Sequence, residues 1–157
     1  MDTTSVLIAL HVIAVLAAYG LPLAYPLLLP YLRRRHPEAM PGVHDVQHRL
    51  NLLLTGPGTA LVLGFGIWTA SREDAMSEPF VHVGFAAIAV IALAGGWIVG
   101  ASRRMAELAR ADVAAAAPGG AVTWSPEYET LWRRYERVEM FLGLVVVVTV
   151  FVMAVKP

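Results

Sequence analysis

Apolar residues run along this chain in four long, nearly unbroken stretches, and most polar residues gather between them. The stretches cover about 5–32, 50–70, 79–101 and 138–155. At about 1.5 Å per helical residue, each is near the roughly 20 residues needed to cross a bilayer. Helices are expected because backbone polar groups in hydrocarbon must pair within their own segment. The alternating polarity of a membrane barrel strand is missing. The pattern predicts an all-α, integral membrane four-helix bundle, with residues 1–157 as one domain and connectors at 33–49 and 102–137.

Within this pattern some positions interrupt the helices. Pro22, Pro26 and Pro30 recur every four residues, and each removes a backbone donor, so the first span is expected to bend or end early. Thr55-Gly56-Pro57-Gly58-Thr59 weakens the start of the second span. Gly96 and Gly100 form the small-residue spacing that lets helices approach closely, and internal packing is its expected use, with subunit contact the alternative. Met105 to Ala117 reads as an amphipathic continuation of the third span, broken by Pro118-Gly119-Gly120. Ser125, Pro126 and Glu127 then signal a helix start, so the fourth span is expected to be the end of a longer helix. Arg133, Arg134, Glu136 and Arg137 stand at spacings that allow helical ion pairs.

Composition agrees with the pattern. Of 157 residues, 57% are hydrophobic and 15% charged, and mean hydropathy is +0.61. Soluble domains carry roughly 25% charged residues. Zero net charge argues against nucleic acid as a partner. With no cysteine, disulfides and thiolate chemistry are excluded. Arginine replaces lysine almost everywhere, and with abundant Ala, Val and Gly this points to a GC-rich bacterial source.

The arginines also orient the chain. Arg33, Arg34, Arg35 and Arg49 lie between spans one and two; Arg103, Arg104, Arg110, Arg133, Arg134 and Arg137 lie between spans three and four. Only Arg72 and Lys156 fall on the other side. The positive-inside rule then makes both long connectors cytoplasmic and both termini external, in a multi-pass protein of the bacterial inner membrane. Only Asp2 is charged ahead of the first span, so an uncleaved helix is expected there rather than a signal peptide. Trp68, Trp124 and Trp132 stand where an aromatic belt would place them. Arg33-Arg34-Arg35 reads as an orientation signal and a contact for anionic lipid.

Candidate chemistry centres on histidine. His11 stands about 9 Å into the first span, and His82 begins the third at similar depth. Buried ionisable groups in membranes usually serve function. The pair is a candidate ligand set for haem or another metal; the alternative is neutral rings hydrogen-bonded to neighbouring helices. His44 and His48, four apart in the first connector, are a weaker metal-binding alternative with His36 or Asp45. Glu139, beside Arg137 at the mouth of span four, is expected either to pair with Arg49 or Arg103, or to transfer protons or bind substrate. Tyr19, Tyr25 and Tyr31 share no helical face and receive no joint role.

Leu10-His11-Val12-Ile13 with Gly20, the Gly-Pro-Gly and Gly-Phe-Gly-Ile-Trp segments of span two, and the closing Val152-Met153-Ala154-Val155-Lys156-Pro157 resemble a bacterial four-span "predicted integral membrane protein" family of unknown function. A more distant similarity is to HemJ-type protoporphyrinogen oxidases and CopD-like membrane domains. That similarity implies haem b bound through His11, with His82, Glu139 and a lysine-proline ending also matched. The chain departs from that pattern at Gly84, where a lysine is expected. It departs again at Leu16-Ala17-Ala18-Tyr19, where a tryptophan-rich segment is expected.

Three roles follow as expectations. One is haem or metal binding near the outer face with a redox or cofactor-handling role. Another is an accessory subunit of a homo-oligomer or larger membrane complex. The last is transport of a metal ion or small solute.

Overall fold

The computed structural model describes residues 3–117 and 120–155. Pro118 and Gly119 of the expected break, together with Asp2, Lys156 and Pro157, lie outside the described residues. Every regular element among those described is helical, as the apolar pattern requires. Three helices are long and apolar enough to cross a membrane, and four are if a bent pair counts as one span.

That bent pair is the first apolar stretch. Helix α1 spans Thr3–Tyr19, a tight turn occupies Pro22–Ala24, and α2 spans Tyr25–Arg35. The two axes differ by 45°. Pro22 and Pro26 cannot donate to the preceding turn, so the helix is interrupted where the prolines begin. Pro30 sits inside α2 without ending it.

The connector expected at 33–49 is largely helical, which extends the second span well beyond its apolar part. After a single turn at Pro37–Ala39, α3 spans Met40–Leu50, a widened π-helical turn covers Asn51–Thr55, and α4 spans Gly56–Arg72. The widening falls just before Pro57, whose ring removes one donor and crowds the carbonyl a turn earlier. An extra residue in the turn relieves that clash while the helix runs on.

Helix α5, Pro79–Ala115, has 37 residues, about 55 Å. That is longer than the roughly 30 Å thickness of a bilayer core. Helix α6, Pro126–Val155, begins as the sequence predicts. The Tyr128 amide donates to Ser125 Oγ at 3.3 Å, and Ser125 in turn donates to Asp112 at the end of α5.

The helices pack as α1 on α4, α3 on α5 and α5 on α6. Two cores result. Ala14, Ala18, Tyr19, Val62, Ile91 and Val146 fill the apolar end. At the arginine-rich end the core is larger and aromatic, with Tyr25, Leu29, Met40, Met105, Tyr128, Trp132 and Tyr135 at its centre. Leu27 and Leu93 are more than four-fifths exposed, as side chains facing lipid would be.

Among the described residues no helix packs closely on Gly96 or Gly100, where internal packing was expected: a methyl group at either would meet nothing within 4 Å. The tight contact is at Gly58, where an added Cβ would stand 2.7 Å from Ala18 Cβ. Because α1 and α4 are adjacent there, the small residue is needed on α4 and not on α5.

Candidate functional site

Helix α3 and the π-helical turn that continues it carry His44, Gln47 and Asn51, spaced three and then four residues apart. Helix α6 carries Tyr128, Trp132, Tyr135 and Glu139 on one face at the same kind of spacing. All seven side chains are buried. Their polar atoms form a connected row at the arginine-rich end. The Gln47 Nε2 donates to Tyr135 Oη at 3.3 Å, which turns its Oε1 toward His44 Nδ1 at 2.7 Å. His44 therefore carries its proton on Nδ1 and accepts from the Tyr128 hydroxyl at Nε2, 2.9 Å away.

Every bond in that row is made with a neutral imidazole. Burial lowers the pKa of His44 to about 4, outweighing the Gln47 hydrogen bond and the charge of Asp45, which act in the other direction. Burial likewise raises the phenols of Tyr128 and Tyr135. His44 was a candidate metal ligand with His48, but both of its ring nitrogens are engaged. His48 uses Nδ1 on the Val99 carbonyl at 3.0 Å, and His36 is an exposed residue 3.6 Å from Glu38. Among the described residues no three His, Cys, Asp or Glu side chains gather as a ligand set.

Arg33 anchors the outer end of the row. Its guanidinium lies 4.8 Å from the Trp132 ring centre and 5.5 Å from those of Trp124 and Tyr128, and it pairs with Glu129. The expectation of lipid contact therefore fails for Arg33, which turns inward, while Arg34 stays exposed. The aromatic-belt reading of Trp132 fails for the same reason: its ring is core, packed on that cation. Trp124 stacks on Tyr128 at 4.4 Å. Trp68, at the other end, is half exposed.

The inner end of the row is Glu139. It is 6% exposed and lines one small cavity with Tyr135 of the preceding turn. Among the described residues it makes no ion pair with Arg49 or Arg103, the expected partners. Arg103 pairs with Glu107 on its own helix, and Arg137 points outward to the Arg133 carbonyl. Those long side chains stay on the exposed faces, whereas Glu139 continues the buried stripe of Tyr128 and Tyr135.

One further polar group borders Glu139 with its hydrogen-bonding capacity unused. Tyr25 Oη lines the same small cavity as the carboxyl and is buried without a hydrogen-bond partner among the described residues, as is Asn51 Nδ2. Tyr25 opens α2 just after the proline break, and Asn51 opens the π-helical turn. The break ahead of α2 thus borders the carboxyl. A small cavity of about 10 Å³, space for one water-sized group, lies here between Tyr25, Leu29, Trp132, Tyr135 and Glu139. An open groove of about 380 Å³ continues from it toward Arg33 and Arg34, and Pro30, Trp132 and Glu136 line both.

The two candidate ligand histidines have separate partners. His11 Nδ1 lies 3.0 Å from the Val62 carbonyl of α4, with its ring against Gly66. His82 is exposed and bonds the Glu78 carbonyl at the start of its own helix. Among the described residues no hydrogen bond or ring contact joins them. Tyr19, given no role from spacing, bonds Thr59 at 2.9 Å and ties α1 to α4.

Sequence reasoning missed Gln47, Asn51, Tyr128, Tyr135 and Tyr25. The available signal was the polar stripe 44/47/51, which is amphipathic only if the first connector is helical. Comparisons with known protein families, curated proteins and solved structures return no match.

Proposed function

We propose that the chain is a multi-pass membrane protein, its arginine-rich end in the cytoplasm, that binds and passes protons at Glu139 to drive transport of a small solute. One observation carries this reading: a buried carboxyl with no ion pair among the described residues stands beside the broken first span. An isolated negative charge in that setting is costly, so the carboxyl needs a proton or a cation on it. Carrier proteins place such sites at interrupted helices, where freed backbone and side-chain polar groups serve the ligand. The groove beside Arg34 supplies a route from water, and the unused Tyr25 hydroxyl supplies a group able to relay the proton.

The test is proton entry into liposomes that hold the purified protein and an internal pH dye, driven by a potassium diffusion potential. The native chain should acidify the interior faster than protein-free vesicles, and Glu139→Gln should abolish the difference while keeping side-chain shape. Native vesicles that behave like protein-free ones overturn the proposal.

A second reading rests on His11. Its Nδ1–H donated to the Val62 carbonyl fixes the tautomer and leaves Nε2 as the coordinating atom, the usual arrangement of a metal-ligating histidine. That geometry suits a single axial ligand to a haem iron or other metal; it offers His82 no matching orientation. A Soret band in the purified protein that disappears in His11→Ala would favour it. Its absence after haem supplementation would remove it.

A further inference from the structure

The open groove beside α2 contains two opposite charges that the fold leaves unpaired. Its walls are Arg33, Arg34, Trp124, Trp132 and Glu136, with Pro30 at the inner end. At about 380 Å³ it falls within the size range of sites for small organic groups. Arg33 is committed to Glu129 and the surrounding rings. Arg34 and Glu136, by contrast, make no ion pair or hydrogen bond among the described residues.

An anion alone would meet Glu136 and be repelled, and a cation alone would meet Arg34. The groove suits a group that carries both signs. A guanidinium takes a phosphodiester by charge-assisted hydrogen bonds, and a carboxylate takes a primary ammonium in the same way. The surroundings narrow the source. Leu27 of α2 and Met140 and Phe141 of α6 expose apolar surface next to the groove in sequence, on the apolar side of Arg34 and Glu136. That places the charges at headgroup level and the apolar faces at acyl-chain level.

We propose that this groove binds the headgroup of an aminophospholipid, its phosphate on Arg34 and its ammonium on Glu136, with acyl chains along α2 and α6. The assignment rests on the bilayer placement above and not on proton transfer, so Glu139→Gln should leave lipid binding intact even if the transport reading fails.

Native mass spectrometry of the detergent-purified protein, titrated with phosphatidylethanolamine or phosphatidylglycerol, tests it. The amine lipid should bind roughly tenfold more tightly, about the value of one charge-assisted hydrogen bond. Arg34→Gln should lower its affinity by a similar factor. Glu136→Gln should weaken the amine lipid and strengthen the glycerol lipid, erasing the preference. Neither side chain holds a contact within the fold, and thermal unfolding of both variants checks that the fold is retained. Equal binding of the two lipids by the native chain, or substitutions without effect, would overturn the proposal. So would soluble glycerophosphoethanolamine binding as tightly as the lipid, because the acyl chains would then add nothing.

Discussion

His44 Nε2 lies 2.9 Å from the hydroxyl of Tyr128, a residue 84 positions later in the chain, and this bond joins α3 to α6 inside the aromatic core. The imidazole is held neutral and sandwiched between Gln47 and Tyr128. The bond therefore reports on both the packing of the arginine-rich end and its response to acid.

Stability should fall on acidification through His44. An exposed imidazole in the unfolded chain takes a proton near pH 6.5, whereas the folded one resists until about pH 4. The unfolded state thus binds more protons between those values, and stability rises with pH there. The contribution is complete above about pH 6.5 and is lost as pH falls to about 4, a difference on the order of 3 kcal/mol. Chemical unfolding in detergent at pH 7.5 and 5 should show about 2 kcal/mol of it, and His44→Gln should flatten the difference. Equal slopes for the two proteins would remove His44 as the cause.

Removing one hydroxyl from the row should leave a buried acceptor unsatisfied. Tyr128→Phe keeps the ring stack with Trp124 but deprives His44 Nε2 of its donor, at a cost of about 1–3 kcal/mol. Tyr19→Phe breaks a single bond to Thr59 at the apolar end and should cost about 1 kcal/mol. Thermal unfolding that ranks the two the other way would contradict the assigned tautomer.

Arg33→Lys should be damaging although it keeps the charge. A lysine loses the planar group that lies against three rings while one of its nitrogens reaches Glu129. The expected loss is about 1–3 kcal/mol, from the cation–π contacts and the pair together. Arg34→Lys, on the exposed side of the same turn, should change unfolding by less than about 0.5 kcal/mol.

Glycine substitutions should separate the tight helix contact from the open one. Gly58→Ala forces a methyl onto Ala18 and should destabilise by about 1–3 kcal/mol. Gly96→Ala enters open space and should be neutral or stabilising by up to about 1 kcal/mol, because alanine favours helix. A strong loss at Gly96 would instead reveal a helix packed on it in an oligomer.

The sequence by itself determined the all-helical class, the apolar helices and the points where they break. Those are local properties: runs of apolar residues set helix length, Pro22 and Pro57 remove donors, and Ser125 with Pro126 starts α6. It also singled out Glu139 as unusual, because an acid at the head of an apolar run is visible without any partner. Partners are what it could not supply. Helical spacing shows that His44, Gln47 and Asn51 share a face only once the first connector is known to be helix, and charged residues there read equally well as a loop. The prediction that Glu139 pairs with arginine followed from charge, yet which face of α6 is buried depends on how α5 lies between α3 and α6. Only the tertiary structure decided that Arg33 turns into the aromatic core, that Glu139 lines one small cavity with Tyr135 and Tyr25, and that the two expected ligand histidines take different partners. The physical reason is that a side chain's surroundings are set by helices far apart in the chain, and no local periodicity encodes their relative rotation.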